Sequence, residues 1–376
     1  YLDITTYSTP SSSIAALSKK GMTRYALSMS IITLLFVNTF YHCDAFSPTF
    51  IGGFALPKIQ FPWDNSENFQ FPSASGENSS TLKPGDTIAV IGASGNVGKL
   101  VALRLSDTYK VNGVVRSASS ELKQFFEGRE DRVKLFESDL LEEFDQGGES
   151  LLPALRDANA IVICTGTTAF PTNAWSKSGE FSVTDEVLKS LVDNKFSVKD
   201  AIGDLDALGL NTPNNVDDRA NSLVLDCWKK AGKVPKKRVI MLSSIGVQRR
   251  ATMPFPILNA CGVLDAKAAG EASIKKSAEE QGYSYTIIRP GQLFGGPYDN
   301  NYYLGTLFQL DKDAATQDVE VGKGDELLGD TLRSTLAEVT AQVCEVNSGK
   351  NMDFAVVNVK GDAPTVEMVQ ERLQAL

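Results

Sequence analysis

The sequence predicts an α/β fold built on a doubly wound parallel sheet. From about Lys83 onward, short apolar segments alternate with amphipathic segments of helical period, which is typical of parallel strands joined by crossover helices. The middle apolar segments contain almost no polar residues, as strands covered on both faces require. The first unit also holds three glycines between its apolar run and its helical pattern, in the stretch Gly92-Ala-Ser-Gly-Asn-Val-Gly98.

The order of the predicted elements supports this fold class. The predicted strands are Thr87–Ile91, Val111–Val115, Val133–Glu137, Ala160–Cys164, Arg238–Ser243, Tyr283–Ile288 and Phe354–Val359. The predicted helices are Val97–Leu105, Glu121–Phe126, Val216–Ala231, Asp265–Gln281 and Ser334–Val346. In such a sheet, ligands bind at the carboxyl ends of the strands.

The glycine run predicts a dinucleotide-binding turn of the Rossmann type. Gly92 permits the tight turn, Gly95 lets a pyrophosphate approach the backbone, and Gly98 lets the helix lie close to the strand. Free N–H groups at the start of the helix then face the phosphates. The predicted cofactor-binding residues of this turn are Gly92, Ser94, Gly95, Asn96, Val97 and Gly98. The alternative is a tight turn that binds nothing.

The next three strand ends supply further candidate cofactor contacts. Arg116 follows the second strand and suits a ribose 2′-phosphate, so NADP is expected rather than NAD; the alternative is a solvated strand end. Asp139 and Leu140 follow the third strand, beside the expected adenine position, although Asp139 is equally suited to cap a helix. Thr165 and Gly166 follow the fourth strand and would pass under the riboses.

The composition excludes several kinds of chemistry. A net charge of −9 argues against nucleic acid as a partner, because nucleic-acid-binding domains usually carry a basic face. The only histidine, His42, lies in a predicted presequence, which excludes Ser-His-Asp hydrolysis, Cys-His proteolysis and histidine-ligated zinc. The cysteines beyond the presequence form no CxxC pair, and no metal site is predicted.

The first 82 residues are predicted to be a presequence and a linker. Residues 1–45 have the layout of a signal peptide, with 1–21 as an upstream extension before Met22 and an apolar stretch at Ala26–Val37 that is short for a membrane span. The alternative is a membrane anchor. Residues 46–82 are assigned to a transit peptide and linker. The run Phe46-Ser-Pro-Thr-Phe50 resembles the two-part presequences of plastid proteins in diatoms and related algae. This predicts the plastid stroma, with no stable membrane span after processing; otherwise the protein is secreted.

The folded part, residues 83–376, is expected to carry two additions to the sheet. An insertion at 176–210 has a helical pattern and is predicted to be a lid or a docking flap for a plastid protein partner, or else a plain surface excursion. Residues 292–376 are predicted to contain a small substrate lobe.

The range from Thr87 to about Gly361 resembles the atypical short-chain dehydrogenase/reductases. It is similar to plastid NAD(P)H-binding proteins of plants and algae that are described as Rossmann-fold or flavin-reductase-related. The matching runs are Gly92–Gly98, Cys164–Pro171, Asn211–Asp217, Leu242–Val247, Lys267–Glu271 and Ile287–Gly291. Residues 176–210 are not part of this pattern.

The resemblance implies an active site. It places Ser243 and Ser244 in the active-site serine region, Lys267 against the nicotinamide ribose, and Pro290 in the loop beside the nicotinamide. The family's catalytic tyrosine is replaced by Val263, which has no proton to donate. Another role for Lys267 is a helix-surface pair with Glu271.

Tyrosines elsewhere offer a replacement for the missing acid. Tyr298, Tyr302 and Tyr303 are candidates, although their pattern favours aromatic packing in a lid.

The sequence therefore predicts a plastid NADP-dependent oxidoreductase that passes hydride to a small carbonyl, quinone or flavin acceptor. A flavin suits the missing tyrosine, because its N5 accepts hydride without a protein acid. The alternative is a non-catalytic NADP(H)-binding module that acts as a redox sensor or as an assembly or scaffold factor. An epimerase is less well supported, since epimerases usually keep the tyrosine.

Overall fold

The computed structural model describes residues 81–177, 182–295 and 316–376. The predicted signal peptide, nearly all of the transit peptide and linker, and Tyr298, Tyr302 and Tyr303 lie outside these ranges. Within the described residues, no helix is both long enough and apolar enough to cross a membrane.

A mostly parallel eight-stranded sheet forms the centre of the fold. The strands are β1 (Thr87–Ile91), β2 (Lys110–Val115), β3 (Val133–Glu137), β4 (Ala160–Ile163), β5 (Arg238–Leu242), β6 (Ser284–Pro290), β7 (Gln292–Phe294), β8 (Asp318–Lys323), β9 (Asp330–Leu332) and β10 (Met352–Val359). The order in the main sheet is β3-β2-β1-β4-β5-β6-β10-β8, and β7 pairs separately with β9. Only the β10–β8 pair of the main sheet is antiparallel.

Helices cover both faces of this sheet. They are α1 (Gly98–Leu105), α2 (Ser120–Phe125), α3 (Glu143–Gln146), α4 (Leu152–Leu155), α5 (Val183–Asp193), α6 (Val198–Ala207), α7 (Ala220–Ala231), α8 (Phe255–Leu258), α9 (Val263–Gln281), α10 (Arg333–Glu345) and α11 (Val366–Gln374). Short 3₁₀ turns occupy Glu149–Leu151 and Asn173–Trp175, and a π-helical turn occupies Asn214–Arg219.

Alternation along β1 shows how the two faces are built. Ile88 and Val90 belong to a buried apolar cluster shared with α1, α10 and α11. Ala89 and Ile91 point the other way, into a cluster shared with α4, α7 and α9. Because successive strand residues face opposite sides, a wholly apolar strand is stable only between two helical layers. The predicted doubly wound fold is confirmed.

The chain after residue 316 is continuous with this sheet. β10 lies between β6 and β8, and its apolar residues Phe354 and Val356 join the main core. Helix α10 packs on α1, where Arg104 pairs with Glu338 at 2.6 Å. The described part of the predicted small lobe therefore contributes mostly to the main sheet, in which Phe354 and Val356 are fully buried. Within the described residues, β7 and β9 form a separate pair.

The insertion is helical, as predicted. α5 and α6 pack on each other, and Ser182 caps α5 by accepting a hydrogen bond from Asp185 N. A separate apolar cluster joins the two helices to the flanking chain and contains Trp175, Val183, Val187, Leu191, Ala201, Leu205, Leu210 and Cys261.

Candidate active site

The glycine turn after β1 is closely packed. Gly92 has a φ of 81°, and both Gly92 N and Ala93 N donate to Val114 O at 3.0 Å. A Cβ on Gly98 would lie 2.1 Å from Gly92 O, well inside contact distance. Gly98 is therefore required for the close approach of α1 to β1, as its position in the predicted motif indicates.

The outer side of this turn is open. Ser94 and Gly95 are exposed, Asn96 is half-buried, and Val97 is the residue before α1. No side chain caps the helix at Val97, and its first turn contains no acidic residue. An uncapped helix N-terminus beside exposed glycine backbone suits an anion such as pyrophosphate.

Arg116 lies on the surface directly after β2. It forms no ion pair with any of the described residues, and the loop that follows is fixed by Ala118 N donating to Glu137 Oε1 at 2.8 Å.

Asp139, after β3, is half-buried and accepts a hydrogen bond from Leu141 N at 3.0 Å, while Leu140 is buried. One oxygen of Asp139 thus closes a local turn, the type of role that the capping alternative describes.

The turn after β4 lies against the glycine turn. A Cβ on Gly92 would come within 3.0 Å of Thr165 Cγ2 and 3.2 Å of Thr165 N. Thr165 Oγ1 donates to Asn221 Oδ1 at 3.3 Å, and Gly166 is exposed. The two predicted cofactor segments, after β1 and after β4, are therefore neighbours at one edge of the sheet.

Lys267 lies beneath this second turn in a buried ion pair. Its Nζ donates to Asp217 Oδ1 at 2.7 Å, and Asp217 is fully buried. A Cβ on Gly166 would lie 3.3 Å from Lys267 Nζ. Burial raises the pKa of Asp217, and the charge of Lys267 opposes that rise. The suggested pair of Lys267 with Glu271 is wrong, since Lys267 bonds across the fold to Asp217 instead.

The two candidate serines differ in their surroundings. Ser243 is buried, and its hydroxyl donates to Glu271 Oε1 at 2.6 Å. Glu271 in turn forms two hydrogen bonds with the fully buried guanidinium of Arg289, at 2.9 and 2.7 Å. Ser244 is half-buried and donates to Ile245 O at 2.9 Å. The hydroxyl hydrogen of Ser243 is therefore committed to a buried ionic network.

Pro290 and Val263 are the remaining positions for which the family resemblance makes a prediction. Pro290 is buried at the end of β6, and a Cβ on the following residue, Gly291, would lie 2.1 Å from Gly329 O. Val263 begins α9 and packs in a small buried cluster with Val247, Phe255 and Leu264. The position of the family tyrosine is therefore part of an apolar core.

Two carboxylates at this edge of the sheet were assigned no role from the sequence. Asp217 was part of a matched motif, and Asp325 was not singled out. Asp325 is buried and accepts hydrogen bonds from Gly246 N at 2.7 Å and Gln248 N at 2.9 Å, which fixes the loop after β5. No group of three metal-ligating side chains occurs in the described part of the chain.

A family model described as NAD(P)H-binding matches residues 92–345. The chain belongs to the NAD(P)H-binding family. This match agrees with the resemblance to the atypical short-chain dehydrogenase/reductases, and together with the Rossmann-type sheet order it confirms a nicotinamide dinucleotide as the cofactor class. The uncapped α1 N-terminus and the exposed glycine backbone fit the pyrophosphate of such a nucleotide.

Solved structures with a similar chain course include several oxidoreductases. The oxidoreductase ylbE from Lactococcus lactis is 20% identical, with 77% of this chain and 96% of that chain covered and a TM-score of 0.47. A putative NAD-dependent epimerase/dehydratase from Bacillus halodurans is 18% identical, with 78% and 100% covered and a TM-score of 0.48. The anaerobillin reductase ChuY from Escherichia coli is 17% identical, with 74% and 99% covered and a TM-score of 0.44.

Proposed function

We propose that this protein is an NADP(H)-dependent oxidoreductase that transfers hydride between the nicotinamide and a small acceptor. The observation that carries this proposal is the packing of Gly92 against Thr165, with Lys267 directly beneath Gly166. One continuous surface thus joins a phosphate-binding turn to a buried lysine. A nicotinamide dinucleotide extends over such a surface, with its pyrophosphate at α1 and its nicotinamide ribose toward the lysine.

The surroundings of Lys267 favour a flavin or a quinone over a carbonyl as the acceptor. Reduction of a carbonyl needs a proton at the nascent alkoxide, and an enzyme usually supplies it from a positioned side chain. Val263 has none, and the hydroxyl hydrogen of Ser243 is bound by Glu271. A flavin accepts hydride at N5, so its reduction does not require a proton donor from the protein. Ser244 is the more exposed of the two serines, and it would have to release its hydrogen bond to Ile245 O to polarise an acceptor.

Arg116 supports NADP over NAD as the preferred cofactor. Its guanidinium is exposed after β2 and forms no ion pair within the described ranges. A planar, permanently charged group matches a ribose 2′-phosphate and gains nothing comparable from a 2′-hydroxyl.

The direct test is consumption of NADPH by the purified protein with a flavin, a quinone or an aldehyde as acceptor, followed by absorbance of the reduced nicotinamide. We expect turnover with flavin or quinone, and less with aldehydes. The matched control is the variant Gly98→Ala, in which the new methyl group collides with Gly92 O. Absence of binding of both NADPH and NADH by calorimetry contradicts the proposed function as a whole.

A non-catalytic NADP(H)-binding module is the second candidate function. The observation in its favour is that two predicted catalytic side chains already donate hydrogen bonds to buried carboxylates. Ser243 donates to Glu271 at 2.6 Å, and Lys267 donates to Asp217 at 2.7 Å. The two functions separate in the same assay, because a redox sensor or scaffold binds NADPH tightly and turns over none of the acceptors.

We further propose a location in the plastid stroma and a protein partner at the insertion. The support is the two-part presequence pattern and the exposed apolar side chains of the insertion, which are Leu188, Val192, Phe196 and Leu208. A fluorescent protein fused after residue 82 should enter the plastid of a diatom. A variant with Val192→Asp and Phe196→Asp should lose the partner from plastid extract while NADPH binding persists.

A further inference from the structure

We propose that Asp217 is a positioning residue for the cofactor site: it holds Lys267 against the turn after β4 and neutralises the charge of the lysine there. This inference rests on the proposed function, since it assigns how the lysine is presented to the nicotinamide end of the dinucleotide.

The contacts of Asp217 bring three elements together. Oδ1 accepts the hydrogen bond from Lys267 Nζ of α9 at 2.7 Å, and Oδ2 accepts one from Thr167 N of the turn after β4 at 3.3 Å. The carboxylate is fully buried, and the lysine is 8% exposed. Both oxygens are therefore used to fix groups that border the surface at Gly166.

The backbone that carries Asp217 is itself tightly held. Asp217 lies in the π-helical turn Asn214–Arg219, and such turns are frequent at functional sites. Asn221 Nδ2 donates to Asp217 O at 2.8 Å, and a Cβ on Gly270 of α9 would lie 2.4 Å from the same oxygen. Because α9 approaches this turn so closely, the carboxylate meets Lys267 with little freedom to move.

The insertion is tied to the same turn. Asp206, in α6, accepts hydrogen bonds from Thr212 Oγ1 and from Asn214 Nδ2, the second at 2.9 Å. The backbone carbonyl of Asp206 accepts a further bond from Asn215 Nδ2 at 2.9 Å. These three hydrogen bonds therefore attach the turn to the end of α6.

Charge neutralisation has a consequence for the two forms of the cofactor. The oxidised nicotinamide carries a positive charge and the reduced one does not. A lysine without its carboxylate repels the oxidised form, whereas the buried pair of Lys267 and Asp217 is neutral as a whole. Removing the charge of Asp217 should therefore weaken NADP⁺ more than NADPH, an effect that a purely structural role would not produce.

The test compares binding of NADP⁺ and NADPH by calorimetry on the full chain. We expect Asp217→Asn to raise the dissociation constant of NADPH by about tenfold. The dissociation constant of NADP⁺ should rise by a factor on the order of five times larger. The matched control is Asp218→Asn, which makes the same chemical change at the next residue of the π-helical turn, where the side chain is half-buried and forms no ion pair with the described residues. This control should leave both affinities and their ratio unchanged.

A second comparison separates a specific role of Asp217 from a general loss of stability in Asp217→Asn. Lys267→Met and the double variant Asp217→Asn with Lys267→Met should bind NADPH equally weakly, because Asp217 acts through the lysine. The double variant also leaves no unpaired buried charge, so it is expected to fold.

Additive losses, or equal losses of NADP⁺ and NADPH, overturn the role of Asp217 while leaving the proposed function standing. If the wild-type protein binds neither nucleotide, the proposed function itself fails.

Discussion

Ser243 donates its hydroxyl hydrogen to Glu271 over 2.6 Å, inside a network that also contains the fully buried Arg289. Arg289 also donates to Gly324 O at 2.8 Å and pairs with Asp353 of β10. The loop that carries Ser243 is thereby connected to α9, β6 and β10. A residue placed by resemblance in the active-site serine region is thus also part of the interior polar structure of the sheet edge.

Glu271→Gln should destabilise the protein by about 3 kcal/mol, because it leaves one charge of a buried ion pair without its full partner. The free energy of unfolding from urea titration measures this. Glu279→Gln is the matched control, since Glu279 is an exposed residue of the same helix, and its change should stay within about 0.5 kcal/mol. A loss at position 271 no larger than that of the control contradicts a structural role for the network.

Gly98→Ala should cost about 1–3 kcal/mol of stability through overpacking. The new methyl group would lie 2.1 Å from Gly92 O, so α1 must move away from β1 and the anion-binding turn changes shape. Calorimetry should show a lower Tm and at least tenfold weaker NADPH binding. Gly203→Ala in α6 is the control, because nothing lies within 4 Å of its Cβ, and alanine there should stabilise the helix by about 1 kcal/mol or less.

Local patterns in the sequence predict much of the fold, but they do not predict contacts between residues that are far apart in the chain. The β1 turn follows from Gly92 to Gly98, whose roles depend on backbone geometry within seven residues. The partner of Lys267 was sought one helical turn away, at Glu271, whereas it lies 50 positions earlier at Asp217. Helical spacing identifies only neighbours on one helix, so a contact made by the packing of two elements is invisible to it.

The C-terminal part illustrates the same limit. The strand Phe354–Val359 was predicted from its apolar run, but its place between β6 and β8 depends on the sheet order. The sequence predicts no role for Asp325, because its hydrogen bond with Gly246 N joins residues 79 positions apart. Polar residues that satisfy distant backbone groups have no periodic pattern in the sequence.

Arg116→Ala should weaken NADPH binding by about tenfold or more and leave NADH binding nearly unchanged. The reason is that only NADPH has a 2′-phosphate for the guanidinium to bind. The dissociation constants of both nucleotides test this. Lys110→Ala at the opposite end of β2 controls for the loss of one positive charge from an exposed side chain. Equal losses of NADPH and NADH in Arg116→Ala would exclude recognition of the 2′-phosphate.

Asp353 should contribute stability that depends on pH. Burial acts to raise the pKa of this carboxyl, but the nearby Arg289 and Lys275 outweigh burial and hold its pKa below the usual value. The folded protein therefore binds fewer protons than the unfolded chain in the range below about pH 4. The stabilisation is complete above the unfolded pKa and is lost as the pH falls through the folded one.

Unfolding free energies should show Asp353→Asn as destabilising at pH 6, with a difference from wild type that shrinks toward pH 2. Asp362→Asn, at an exposed carboxylate that forms no ion pair with described residues, should show a small difference that changes little with pH. A constant penalty for Asp353→Asn at every pH would mean that its contacts stabilise the fold independently of its charge.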